Sequence, residues 1–203
     1  MARQALFTSQ AFVDAAIELV AEGGGAAATL QAIARKVGGP TGSIYHRFQS
    51  RAEIMASAWI SIHGQFSRRL RAALEQGGAL AAALAIPDWA RRDAIRARFL
   101  LLNDPGALIG GNPPEALRGA LEREEQELEA AFQDYVRSAT GSDVAADLET
   151  QTRARFLIFD APIALTSPHL AAGDPIPGFV DTMIRELHAG VALALSVHGS
   201  RAA

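Results

Sequence analysis

Between Thr29 and Arg51 the chain gathers side chains that hydrogen-bond without much bulk: Thr29, Gln31, Thr41, Gly42, Ser43, Tyr45, His46, Arg47 and Arg51. Hydroxyls, an amide, an imidazole and guanidinium groups suit phosphate oxygens and base edges. No Ser/His/Asp set and no pair of carboxylates stands out along the chain, so no enzyme is expected. The sequence has no cysteine, which removes disulfides, thiolate metal sites and cysteine nucleophiles. Its 5 histidines show neither an i, i+4 pair nor a carboxylate at ligand spacing, so neither metal nor cofactor is expected. The glycine runs at 23–25 and 110–111 do not follow strands and offer no nucleotide cradle.

The elements that position these residues are helices. A first helix is predicted from about Thr8 to Glu22, with Phe12, Ala16, Leu19 and Val20 on one face and a glycine run to stop it. Thr29 caps a second helix that buries Leu30, Ile33, Ala34 and Val37 and ends at Gly38-Gly39. Pro40 opens a short third helix with Ile44 and Phe48 as its inward pair. Two short helices across a glycine turn are what a helix-turn-helix requires. Thr41 to Arg47 are then left on or near the exposed side, free to enter a major groove about 12 Å wide. Ser50 and Glu53 form a capping box for a long fourth helix, with an apolar stripe to about Leu74. Gly77-Gly78 marks a break, and a short Ala/Leu helix to Ile86 follows it. Later helices are predicted from Pro87-Asp88 to Asn103, from Glu115 to Ser138, from Asp143 to Leu170 with an interruption at Pro162, and from Phe179 to Val197. The acidic run 122–129 reads as the wet face of its helix.

The 203 residues are 49% apolar, 20% charged and 6% aromatic, a globular composition with little support for strands. Net charge is −3, which argues against a general nucleic-acid binder. Residues 1–51 nevertheless carry 5 basic and 3 acidic side chains, so a locally basic head sits on an acidic remainder. No leader-like apolar segment and no membrane-length apolar run is present, so the cytoplasm is the expected location, with no membrane partner.

Thr29, Ile33, Ala34, Gly38, Gly42, Ser43, Ile44, Tyr45, Phe48 and Ser50 fall in register with one another in a pattern that resembles the DNA-binding domain of the TetR family of bacterial repressors. The resemblance covers about residues 8–55. Gly39-Pro40 stands where the family usually has Val-Ser, Arg51 where it has lysine, and Ile54-Met55 where leucine is common. The resemblance implies an all-α fold of about nine helices: a three-helix DNA-binding domain at 1–51 and a helical effector-binding and dimerisation domain at 52–203. It implies a homodimer on a palindromic, double-stranded operator, with recognition helices about 34–36 Å apart. Thr29, Tyr45 and Arg51 would meet phosphates; Thr41, Ser43, His46 and Arg47 would meet bases or nearby phosphates, and Arg3 would act as an arm. The final helix, through Met183, Leu187, Gly190, Val191, Ala194 and Leu195, would pair with its copy.

A small hydrophobic effector would release the operator by swinging helix four. Amphipathic position suggests Trp59, His63, Phe66, Phe99, Asn103, Phe132 and Tyr135 as its lining. Asp160 lies in an apolar run and is read either as a buried carboxylate paired with an arginine of the 91–98 helix, or as a polar handle in the pocket or dimer interface. Two other readings remain open: a helical small-molecule-binding protein, and a DNA-binding activator without ligand-controlled repression.

Overall fold

The computed structural model of the protein describes residues 7–140 and 148–199, without the side chains of residues 140 and 191–199. Arg3, Gly141 and Asp143 lie outside the described residues, as do the side chains of Val191, Ala194 and Leu195. Among the described residues there are nine helices and no strand.

Local chemistry sets the ends of the first helices. Thr8 caps α1 (Ser9–Gly23) by accepting from the Ala11 N–H at 3.1 Å. A 3-10 turn, Gly25–Ala27, leads to Thr29, which caps α2 (Leu30–Val37) through the Ala32 N–H at 3.1 Å. Gly38 closes α2 in the left-handed region, at φ 77°, where a side chain would be strained. α3 is a single turn, Gly42–Tyr45, and begins two residues after the proline that the sequence marks as its start. α4 spans Arg51–Arg92. Ahead of it, Ser50 Oγ accepts from the Glu53 N–H at 3.2 Å. The Glu53 carboxylate in turn accepts from the Gln49 N–H at 2.6 Å, one residue further back than the usual capping-box partner.

The middle of the chain departs from the sequence expectation. The break expected at Gly77-Gly78 is present, as a kink at Gly78 with φ 69°, ψ −162°, but the helix after it does not end at Ile86 and continues to Arg92. Pro87 lies inside this span instead of opening a new helix. The face formed by Ala82, Ala83, Ile86, Trp89 and Ala90 is buried on both sides of the proline, so packing outweighs the lost N–H. The break comes at Asp93, whose carboxylate accepts from the Arg96 N–H at 3.1 Å and caps α5 (Ala94–Leu101). α6 (Pro105–Ile109) and α7 (Glu115–Thr140) follow. α8 comprises Leu148–Arg155, a π-helical turn at Phe156–Asp160, and Ala161–Ala172. α9 is Phe179–Gly199.

The π-turn corrects the reading of Asp160 as a buried carboxylate. Ile158 and Phe159 are buried, whereas Phe156 and Asp160 are exposed. A π-turn holds one more residue than an α-turn and resets which positions face inward. The interruption therefore lies just before Pro162, which is buried and continues the helix.

The chain forms two compact units, Met1–Ser67 with Asp93–Glu127, and Arg68–Arg92 with Leu128–Ala203. In the first, α1 packs on α2 and α5 over a core that includes Phe12, Ile17, Ile33, Ile44, Ile62 and Phe99. In the second, Phe132 packs on Phe159 with ring centroids 5.7 Å apart, and the Arg155 guanidinium lies 4.9 Å from the Phe132 ring centre. Arg91 fixes the start of α9. It donates to the Ile176 carbonyl at 3.2 Å and the Pro177 carbonyl at 3.1 Å, and pairs with Asp181 at 2.9 Å.

Candidate nucleic-acid interface

α3 is held by its inner side. Ile44 is 0% and Phe48 6% exposed. Phe48 meets the Phe12 ring edge-on, with centroids 6.5 Å apart. The opposite side carries Gly42, Tyr45 and His46, all exposed, with Tyr45 at 62%. Thr41, Ser43 and Arg47 are half-buried along its edges. A methyl group built on Gly42 would meet nothing within 4 Å, so nothing within the fold demands glycine there. What the absent side chain leaves is room for a surface to approach the backbone from outside.

The cations of the head are more committed than the sequence implies. Arg47 donates to the Ser43 carbonyl at 3.0 Å, and its guanidinium lies 5.9 Å from the Phe12 ring centre. Lys36 pairs with Glu18 at 2.9 Å and Glu22 at 3.0 Å. Those two carboxylates, Glu18 first, raise its pKa and tie α2 to α1. Arg51, read from sequence as a phosphate ligand, turns inward. It donates from Nε to the Ala28 carbonyl at 2.8 Å, from Nη1 to Leu108 at 3.0 Å and from Nη2 to Gly25 at 2.7 Å. Three carbonyls, two of them in the turn before α2 and one on α6, with Ala28 and Leu108 buried, attract the five-donor guanidinium more than open solvent does. Thr29 and Gln31 are exposed at the start of α2. The Thr29 hydroxyl accepts from Ala32 as a cap and still has its own proton to donate.

The residues suggested as an effector lining divide between the units. Trp59, His63, Phe66, Phe99 and Asn103 belong to the first, and Phe132, Tyr135 and Asp160 to the second. Trp59 stacks on His63 with centroids 6.5 Å apart and 16° between planes, and Phe99 tilts against Trp59 at 6.0 Å. Phe66 is buried. Asn103 donates to the Arg98 carbonyl at 3.2 Å and to that of Phe99 at 3.0 Å, closing the end of α5. Tyr135 lies beside Gly78, where an added methyl would stand 3.5 Å from the phenol oxygen. Sequence reasoning missed Glu124. It reads as part of a wet acidic face, yet its Oε2 is sealed from water against Gly64 of α4. An unexplained glycine in mid-helix was the available signal. A cleft of about 280 Å³ between α1 and α5 is lined by Asp14, Ile17, Glu18, Asp93, Ile95 and Arg96 and includes none of the suggested lining residues. Among the described residues, no group of three metal-ligating side chains is present and no helix is long and apolar enough to cross a membrane.

Two histidines make stability depend on pH. Burial lowers the pKa of His63 below 6.5, although the Glu124 and Glu125 charges oppose it. Burial likewise lowers His188, against the opposing bond between its Nε2 and the Leu157 carbonyl, 3.1 Å away. Below pH 6.5 the unfolded chain therefore takes up protons that the folded chain resists, and stability falls as pH drops. Melting temperatures between about pH 7.5 and about pH 5.5 are expected to decline, and His63→Gln and His188→Gln each to flatten the decline. A flat profile, or an unchanged slope in both variants, contradicts this account.

Among the described residues, an all-helical fold with a glycine-turned helix pair and an outward third helix has the form of a helix-turn-helix. Residues 12–58 match the family model of the bacterial regulatory proteins of the tetR family. Solved structures share the fold along nearly the whole chain. A protein from Shewanella sp. PV-4 assigned to the tetR family of transcription regulators matches with a TM-score of 0.63 and 17% identity, covering 91% of this chain and 94% of its own. The fatty acid degradation regulator FadR from Bacillus halodurans matches with a TM-score of 0.61 and 15% identity, covering 90% and 96%. The transcriptional regulator FadR from Bacillus subtilis, solved in complex with stearoyl-CoA, matches with a TM-score of 0.58 and 17% identity, covering 89% and 97%. Comparison with curated proteins returns no match.

Proposed function

We propose that this protein is a homodimeric, cytoplasmic repressor that binds a palindromic operator and leaves it when a small hydrophobic effector binds. Residues 1–51 form the DNA-binding head and 52–203 the effector-binding and dimerisation part. The observation that carries the reading is the polarity of α3, with Ile44 and Phe48 locked inside and Gly42, Tyr45 and His46 facing out. Thr41, Ser43 and His46 are the groups assigned to bases or nearby phosphates, and Thr29, Gln31 and Tyr45 to the flanking backbone. Arg47 takes part from the edge, while Arg51 acts through the fold. Exposed Phe179, Met183 and Leu187 recur every four residues on α9 beside buried Val180 and Ile184. That stripe supports pairing with a second copy. The stearoyl-CoA complex of the B. subtilis regulator supports an effector with an apolar body.

A salt-titrated gel shift against DNA upstream of the protein's own gene tests this. Specific binding with a steep salt dependence is expected. Tyr45→Ala and His46→Ala are each expected to weaken it by about 1–3 kcal/mol, with the melting temperature unchanged, because both side chains are exposed. Binding that ignores sequence, or that is indifferent to both substitutions, contradicts the proposal.

A further inference from the structure

Glu124 has no part in the function argued above. Its carboxylate lies against Gly64: a methyl built on that glycine would stand 2.8 Å from Oε1 and 3.0 Å from Oε2. Glycine in mid-helix is about 0.5–1 kcal/mol worse than alanine, and here it makes the space that the carboxylate fills. Oε2 is sealed from water and has no hydrogen-bond partner. The nearby polar groups do not supply one. The Ser67 hydroxyl, itself fully buried, lies 3.3 Å from His63 Nδ1. Burial holds His63 below its ordinary pKa, so near neutral pH it is not a standing counter-ion. Beside this group, Trp59 stacks on the His63 ring and Phe99 packs against Trp59. Glu124 as a whole is half-buried, but a carboxylate oxygen enclosed without a donor is costly unless something outside the chain satisfies it.

We propose that Glu124 is the anchor for the protonated nitrogen of an effector, an amine with an apolar body, whose hydrocarbon part lies along the Trp59, His63 and Phe99 rings. The inference rests on the ligand-responsive reading above and narrows its effector to cations. Charge pairing supplies discrimination by headgroup, because a neutral or anionic headgroup leaves the buried oxygen unpaired or repelled.

The test uses the intact protein with octylamine, 1-octanol and octanoate, which share one chain and differ in headgroup. Calorimetric titration and thermal shift are expected to show octylamine binding at least tenfold more tightly than the other two. Glu124→Gln, nearly isosteric, is expected to remove that preference, and Gly64→Ala to weaken amine binding by crowding the carboxylate. Equal or tighter binding of octanol or octanoate overturns the proposal. So does no binding at millimolar octylamine, or an amine preference that survives Glu124→Gln. If either variant fails to fold, the headgroup comparison on the unaltered protein still decides. The gel shift on that same unaltered protein separates the two readings. Operator binding without amine preference defeats this inference alone, whereas absence of operator binding defeats the regulator reading.

Discussion

Phe12→Ala is expected to destabilise the protein by about 3–5 kcal/mol, the range for deleting a buried aromatic ring. Phe12 is fully buried and joins three parts of the head. Phe7 lies 6.4 Å away by ring centroid and Phe48 6.5 Å away, and the Arg47 guanidinium sits 5.9 Å from its ring centre. Deleting the ring leaves a void under Phe48 and takes away the surface on which Arg47 rests. Operator binding is therefore expected to fall further than the lost stability alone accounts for. Phe12→Leu, which keeps most of the volume, is expected to cost less than half as much. Urea denaturation followed by circular dichroism measures the first effect, and fluorescence anisotropy on labelled operator at low temperature measures the second. A loss below about 1 kcal/mol for the alanine variant would mean that the ring is not the keystone of the head.

Arg51→Ala is the second large effect, expected at about 2–3 kcal/mol. Three carbonyls lose a charged donor together, and hydrogen bonds to charged groups are worth about 1.5–3 kcal/mol each before allowance for water reaching a half-buried site. Arg51→Lys is expected to recover little, because a single ammonium cannot match the planar fork that reaches Ala28, Leu108 and Gly25. The pair of variants also decides between two roles. If Arg51 holds the head together, both lower the denaturation midpoint and the salt slope of operator binding stays the same. If its charge sits on a phosphate, both leave the midpoint alone, and the alanine variant flattens the salt slope by about one ion.

The contrast between these residues shows what sequence carries. Thr8, Thr29, Gly38 and the Ser50–Glu53 pair act on backbone groups within four residues of themselves, so their types and spacing announce the helix ends they make. The burial of Ile44 and Phe48 is a matter of four-residue periodicity and is equally local. Arg51 is different. Its partners are 23, 26 and 57 residues away, and nothing near position 51 tells whether a guanidinium meets solvent, a phosphate or three carbonyls. Pro87 looks like a helix start because its missing N–H is a local fact, while the buried face that tolerates it is a tertiary one. The burial expected for Asp160 fails because its exposure depends on one extra residue in a turn. Glu124 was hidden among its acidic neighbours because the glycine that receives it lies 60 positions away on α4.

Gly78 has a consequence for phase. An unbroken helix advances about 100° per residue. On that count, the buried positions Ala82, Ala83, Ile86, Trp89 and Ala90 would fall well round the cylinder from Phe66, Ser67, Leu70 and Leu74. The backbone at φ 69°, ψ −162° resets the rotation, so the stretches on its two sides keep separate angular clocks. Periodicity averaged over the whole span cancels, although each stretch is amphipathic by itself. Residues can accordingly be exchanged for hydrophobic fit on one side of the glycine without retuning the other.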